Sequence, residues 1–319
     1  MIKKILLGSL VAISSLAASA QDNAPESHFS PDTNRIKSHL YFLADDLLEG
    51  RDTGSRGHNI AALYIATEFA KYGLKPAGTE GFMQPVPFRK ANLVQESPSF
   101  NFESESGSFS LSYPKDFITG PDLLSLESNV KGELVFVGYG IVAEELNHND
   151  YADLDVDGKI VVVLSGKPAS FPSEEGAHFG SGYQKQSYAA ERGAIGMITL
   201  STPIAEKVRP YQSQLNYIHT PRMAWLNDEG VPANTFEQLK GSAFLSMPAA
   251  EQLFANAPVS LNDIYAALEE DESPKGFAIP GQVALSKKSL HSQIVSPNVV
   301  GVVEGSDPEL KNEYVVFSA

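Results

Sequence analysis

The sequence predicts an α/β protein in which one domain is interrupted by a second. Two amphipathic helices within residues 30–73 have no neighbouring strand of their own to pack on. Apolar runs with little polar alternation, at residues 298–303 and 314–318, are typical of strands covered on both faces. Between the two helices and these C-terminal strands, the strand–helix–strand spacing of residues 133–200 indicates a separate small domain. We therefore assign residues 21–119 and 281–319 to the outer domain and residues 120–280 to an insert.

Composition excludes several function classes. The chain has 319 residues, with 24 basic against 39 acidic side chains and a formal net charge of −15. We expect no affinity for nucleic acid or anionic membrane surfaces, because such partners need a basic protein surface. The chain has no cysteine, which excludes disulfides, thiolate nucleophiles and thiolate metal sites.

The first twenty residues are typical of an export signal. Lys3 and Lys4 precede an apolar stretch over residues 5–17, and small residues follow at 18–20. We expect cleavage after Ala20 and an exported product, periplasmic or secreted. The alternative is a buried apolar first strand. No later apolar run is long enough to predict a membrane helix.

Helix signals place the first two helices. Ser30 and Pro31 predict an N-terminus for a helix that ends near Gly50, and the apolar face of this helix is Ile36, Leu40, Leu43 and Leu47. A second helix is predicted over residues 58–72, with Gly73 just past its end. Its predicted apolar stripe comprises Ile60, Leu63, Tyr64 and Thr67. We expect both helices to pack on the C-terminal strands.

Other elements follow from periodicity and turn residues. Short antiparallel strands are predicted within residues 82–126. Buried-type strands are predicted at 133–137, 159–164 and 195–200, with a helix at 183–192. Further helices are predicted at 248–254 and 261–270, and short strands at 282–285 and 293–295.

Few residues are candidates for chemistry. The seven histidines form neither an H-E-x-x-H motif nor a close pair, and no G-x-S-x-G occurs. Residues 148–150 (His-Asn-Asp) are the nearest approach to a cluster, and we interpret them as a surface loop. Asp45 and Asp46 are adjacent on a helix and so point apart. We assign no catalytic, cofactor-binding or metal-binding residue.

Two glycine-containing loops are further candidates for a ligand site. Residues 138–143 imitate the dinucleotide-binding pattern G-x-G-x-x-A, but the acidic stretch that follows is unsuited to a pyrophosphate, so we interpret them as a turn. Residues 49–51 (Glu-Gly-Arg) leave two alternatives open. Arg51 either ties the loop to a helix end or lies near a substrate cleft.

Three stretches together resemble the secreted zinc-dependent aminopeptidases, relatives of glutamate carboxypeptidase and the transferrin receptor ectodomain. The first comprises LADDLLEGR, TGSRG and AALYIATEFAKYGLKPAG within residues 43–78. The second, KGELVFVGYGI through KQSYAAERGAIGMITL, resembles the protease-associated (PA) domain inserted in that family. The third, NVVGVVEGSDPELKNEYVVFSA, is similar to the strand pair that leads to the family's metal site.

This resemblance implies a partial zinc-exopeptidase α/β/α sandwich interrupted by an inserted α/β PA domain. It also implies two zinc ions in the complete enzyme, a general-base glutamate, and a peptide substrate cleaved at its N-terminal residue. The first His ligand is expected just after residue 319, so no family ligand maps onto this sequence. We therefore expect the chain to be the front part of such an enzyme and inactive by itself. The alternative is a non-catalytic PA-domain protein that binds or gates substrates. The sequence leaves the residue preference and the oligomeric state open.

Overall fold

The computed structural model describes residues 30–318, so the predicted export signal lies outside the described residues. The helices are α1 (Thr33–Leu43), α2 (Arg56–Lys71), α3 (Ser173–Phe179), α4 (Gly182–Glu191), α5 (Pro203–Val208), α6 (Tyr211–Gln214), α7 (Met247–Leu253) and α8 (Leu261–Glu269). Short 3-10 helices occur at Asp46–Arg51, Glu144–Leu146 and Leu215–Tyr217. Among the described helices, none combines the length and the apolar character needed to cross a membrane.

The strands are β1 (Lys75–Pro76), β2 (Met83–Leu93), β3 (Ser99–Ser104), β4 (Gly107–Leu111), β5 (Phe117–Ile118), β6 (Glu127–Phe136), β7 (Val142–Ala143), β8 (His148–Asn149), β9 (Ile160–Leu164), β10 (Gly196–Leu200), β11 (Arg222–Trp225), β12 (Gly241–Leu245), β13 (Phe277–Val299) and β14 (Gly301–Val302). The main sheet has the order β11-β2-β13-β6-β9-β10-β12-β5, with β3 and β4 attached through β13. The predicted α/β fold class is confirmed.

The centre of the sheet is parallel and covered on both faces. Strands β6, β9, β10 and β12 run parallel, with α3 and α4 in the connection from β9 to β10. Every residue of β9 is fully buried. Its Ile160, Val162 and Leu164 join one apolar cluster with residues of α7 and α8, while Val161 and Val163 join a second cluster with α4. This arrangement is why β9 reads as a continuous apolar run.

Strand β13 connects the parts of the chain that the sequence assigned to different domains. It pairs antiparallel with β6 and β3 through its first half and with β2 through residues 289–299. Residues of the predicted outer domain therefore share one sheet with the insert. The boundaries proposed at 119 and 280 stay predictions.

The helices of the N-terminal part begin and end differently from the prediction. Asp32, not Ser30, caps α1 by accepting hydrogen bonds from the backbone N–H groups of Asn34 and Arg35. The helix ends at Leu43, because Asp45 caps a new 3-10 turn by accepting from the N–H of Leu47. Residues 44–49 are therefore not part of the first helix.

Helix α2 packs on β13, as expected, but through a different face. Its buried residues are Gly57, Ala61, Ala62 and Ala66, whereas Leu63 of the predicted stripe is 60% exposed. Gly57 packs on the 3-10 helix Asp46–Arg51, since a Cβ there would overlap the Leu48 carbonyl oxygen, and the His58 ring lies 3.1 Å from the carbonyl oxygen of Pro297 on β13. Small residues therefore form the packed face of α2, in place of the larger residues that the hydrophobic pattern selected.

The predicted strand at residues 314–318 is wrong. The chain forms β14 and then continues without regular structure through a turn. Tyr314, Val315, Val316 and Phe317 are 80–94% exposed. A strand requires a hydrogen-bonded neighbour, and in the described chain no segment pairs with these residues. The predicted strand at 298–303 is realised as the end of β13 and β14.

Candidate functional site

Residues 148–150 do not form the solvated loop that the sequence predicted. His148 Nε2 lies 2.9 Å from Asp150 Oδ1, and both side chains are largely buried. The other carboxylate oxygen of Asp150 accepts a hydrogen bond from the Ile141 N–H at 3.0 Å, and the His148 ring contacts the Phe171 ring edge to face. The pair fastens the β7–β8 hairpin and is enclosed by protein, so we assign it a structural role.

The turn at residues 138–140 is confirmed. Gly138 and Gly140 both have positive φ angles, of 60° and 69°. A Cβ atom at Gly140 would lie 2.6 Å from the Val163 side chain, so close packing on β9 requires a glycine there. The glycines thus serve the turn, and a nucleotide phosphate is not needed to explain them.

A buried lysine lies next to this turn. Lys185 Nζ donates to the carbonyl oxygens of Leu164 and Gly166, at 2.8 and 2.6 Å, and lies over the ring of Tyr139. Burial lowers the pKa of Lys185 to about 7, while the negative charge of Asp150 opposes this shift. The amine is buried at the end of β9 and bonded to its carbonyl oxygens, so we interpret it as a structural link between α4 and β9.

The loop at residues 49–51 has unusual backbone geometry. Glu49, Gly50 and Arg51 all have positive φ angles, of 51°, 74° and 55°. All three residues are exposed. Asp46, next to the capping Asp45, is also exposed. Both alternatives for Arg51 stay predictions.

The described chain does not fit a two-zinc site. Within residues 30–318, no three His, Asp or Glu side chains lie close enough together to hold a metal ion. Two of the histidines instead contact backbone carbonyl oxygens, His58 at Pro297 and His291 at Asp122. His39 lies between the hydroxyls of Tyr64 and Tyr72.

One open groove lies beside α4, on the sheet face that this helix covers in part. Its floor is formed by Met197 and Thr199 of β10 and by their partners in β12, Ser242 and Phe244. Ile118 of β5 pairs with Phe244 and extends this floor. One pocket of about 430 Å³ joins a smaller one of about 110 Å³ through shared lining residues. The combined volume is in the range of small-ligand sites, roughly 300–1,000 Å³.

The wall of the groove is formed by the segment between β10 and β11. Arg209 and Arg222 line it, and neither the larger pocket nor this wall segment, residues 209–222, contains an Asp or Glu. The guanidinium of Arg209 lies 5.9 Å from the centre of the Tyr217 ring. The stem of Arg222 crosses Gly120, where a Cβ would lie 3.1 Å from the arginine Cδ. Within residues 30–318 neither arginine forms an ion pair with a carboxylate.

A third cation lies beneath the groove. Lys287 Nζ donates to the carbonyl oxygen of Gly120 at 2.9 Å and lies 3.3 Å from the Ser242 hydroxyl. Burial lowers the pKa of Lys287 to about 8, and the positive charge of Arg222 adds to this shift while Asp122 opposes it. Asp122 lines the smaller pocket and accepts hydrogen bonds from the Ser128 hydroxyl and from two backbone N–H groups. Its single negative charge offsets part of the positive charge of the three cations.

Sequence reasoning missed these groove residues. Arg209, Arg222 and Lys287 are far apart in the chain and carry no motif. The available signal was the absence of acidic residues over positions 207–227 in a strongly acidic chain.

Comparison with known proteins identifies a domain that supplies part of the groove. Residues 130–224 match the PA domain family. The predicted PA domain is therefore present, and it contains both groove arginines. No curated protein matches the chain.

A comparison with solved structures finds an aminopeptidase from Aneurinibacillus sp. strain AM-1. The two chains are 17% identical and superpose with a TM-score of 0.40, over 87% of this chain. This chain spans about half the length of that aminopeptidase, covering 50% of it.

Proposed function

We propose that this chain is the front part of an exported zinc aminopeptidase that removes N-terminal residues from peptides. The observation that carries the proposal is the PA domain at residues 130–224, in the position that the resemblance of the flanking stretches predicts. In this proposal the PA domain helps to form the approach to an active site that residues outside 30–318 complete.

Exposed apolar surface supports the proposal. Helix α1 has no buried residue, and Leu40 and Tyr41 on it are 60% and 74% exposed. Leu47 and the segment 314–317 are exposed to a similar or greater degree. Apolar faces of this kind are normally covered by another part of the same protein or by a partner. In the proposed enzyme, the remaining strands and helices of the peptidase domain cover them.

The two zinc ions of such an enzyme require ligands that the described residues do not provide. Zinc activates a water molecule for attack on the peptide bond. The proposal therefore places all ligands outside residues 30–318 and expects this chain to be catalytically inactive by itself.

A direct test combines genetics with an activity assay. We expect the reading frame to continue past codon 319 into His-x-Asp and further carboxylates, and we expect the purified chain to leave aminoacyl-nitroanilide substrates intact with or without added zinc. A stop codon directly after codon 319, or zinc-dependent hydrolysis by the purified chain, would contradict the proposal.

The second candidate is a non-catalytic protein that binds or gates peptides through its PA domain. The parallel sheet with two complete apolar clusters favours it, because this part of the chain already has a closed core. The reading-frame test separates the candidates, since only the enzyme needs metal ligands further along the chain.

A further inference from the structure

We propose that the groove between β12 and the segment 209–222 binds an acidic peptide segment, whose carboxylates contact Arg209 and Arg222. Residues matched to the PA domain form the groove together with β5, β12 and β13. Binding there does not depend on whether the complete protein is a peptidase.

The groove differs in charge from the chain as a whole. The chain has 15 more acidic than basic side chains, yet the lining of the larger pocket includes two arginines and no carboxylate. An unspecialised surface of so acidic a protein would be expected to include Asp or Glu. The wall segment, residues 209–222, contains Arg209 and Arg222 and no Asp or Glu. The groove is therefore a positive region on a negative molecule, and it attracts anions from solution.

Both arginines can donate hydrogen bonds to a ligand. No carboxylate pairs with Arg209 or Arg222 within the described residues. Aromatic stacking on Tyr217 holds Arg209 without using its N–H donors. A guanidinium presents these donors as a planar fork that matches a carboxylate. Two such forks along one wall suit two carboxylates of the same peptide.

The groove also contains polar groups and a third cation. Lys287 adds positive charge from below, and it is held there by Gly120 and Ser242. The amides of Gln186 and Gln214 and the hydroxyl of Thr199 also line the groove. Amide and hydroxyl groups can donate to or accept from a peptide backbone. A peptide thus finds polar partners for its main chain as well as cationic partners for its side chains.

The test measures binding of a short fluorescent glutamate-rich peptide to the purified chain by anisotropy. The matched peptide has glutamine at each glutamate position. We expect R209Q and R222Q each to weaken binding about tenfold, as for loss of a charged hydrogen bond. The control K207Q removes the same charge from the same segment at a residue that does not line the groove, and we expect it to bind within about twofold of the parent.

Three outcomes would overturn the proposal. These are equal affinity for the glutamine peptide, unchanged affinity in the R209Q/R222Q double variant, and competition by inorganic phosphate at the peptide's own concentration, which would indicate a simple anion site. Trp225, the sole tryptophan, lies on β11 with Arg222 and reports whether each variant is folded. If R222Q unfolds, R222K keeps the charge without the fork, and we expect it to bind more weakly than the parent.

Discussion

Two apolar runs of similar composition have opposite fates in this molecule. Residues 160–164 of β9 are fully buried between two clusters, whereas residues 314–317 are at least 80% exposed. Both runs are apolar, and their lack of polar alternation assigned both to covered strands. The difference lies in their neighbours, because β9 has β6 and β10 on its two sides and helices on its two faces. An apolar run is therefore buried only where other strands and helices pack against it, and its own sequence does not decide whether they do.

The largest effect should come from equal truncations in the two regions. Phe136 is fully buried and Phe317 is 94% exposed. We expect F136A to lower the free energy of unfolding by about 3–5 kcal/mol, since it leaves a cavity against Phe254 and Phe277. We expect F317A to stay within about 0.5 kcal/mol of the parent. Chemical denaturation measures both, and comparable losses would mean that the terminal segment is packed after all.

The second largest effect should be a pH dependence of stability caused by Lys185, which is buried in the covered region. The folded pKa of Lys185, about 7, is below that of an unfolded lysine, so from about pH 7 to pH 9 only the unfolded chain holds this proton. Stability then rises with pH across this window, by roughly 2 kcal/mol from Lys185, and this contribution levels off below it. Lys287, whose folded pKa is about 8, adds to the rise in the upper half of the window. K185M should show a smaller slope, while K207M, altered at an exposed lysine, should keep it. A parent that is no more stable at pH 9 than at pH 7 would exclude the shift.

Exposed apolar residues should also promote self-association. If the segment 314–317 is a surface awaiting cover, V316K should weaken association of the purified chain about tenfold, because it removes apolar area from the contact and adds charge repulsion. Sedimentation velocity at several protein concentrations provides the measurement. The control V231K introduces the same charge at an exposed valine outside this segment. An equal effect of both substitutions would assign the change to net charge and not to the segment.

The smallest effect concerns the link between the two regions. His58 on α2 contacts the carbonyl oxygen of Pro297 on β13. H58A should lower the stability of α2 by about 1 kcal/mol, the usual worth of one hydrogen bond. Hydrogen exchange should show faster opening of α2 and unchanged protection of β9. H219A, at an exposed histidine, serves as control, and identical exchange of α2 in both variants would show that the contact adds nothing.

The accuracy of the sequence predictions differs between the same two regions. For β9, α4, α7 and α8 the predicted bounds lie within a residue or two of the observed ones. In these elements the hydrophobic pattern, the N-caps and Gly193 all agree. For α1 and the last segment they do not. The capping side chain of Asp45 ended the first helix early, and no partner strand was available for residues 314–318.

The sequence by itself determined the α/β class and the central strands and helices, because these depend on caps, turns and periodicity within short windows, and its resemblance to a known family predicted the PA domain. Only the tertiary structure decided the groove. Its cations come from positions 209, 222 and 287, and β13 and the 209–222 segment bring them together across the sheet. It also decided which apolar runs are covered. Cover and convergence are contacts between residues distant in sequence, and no local pattern specifies them.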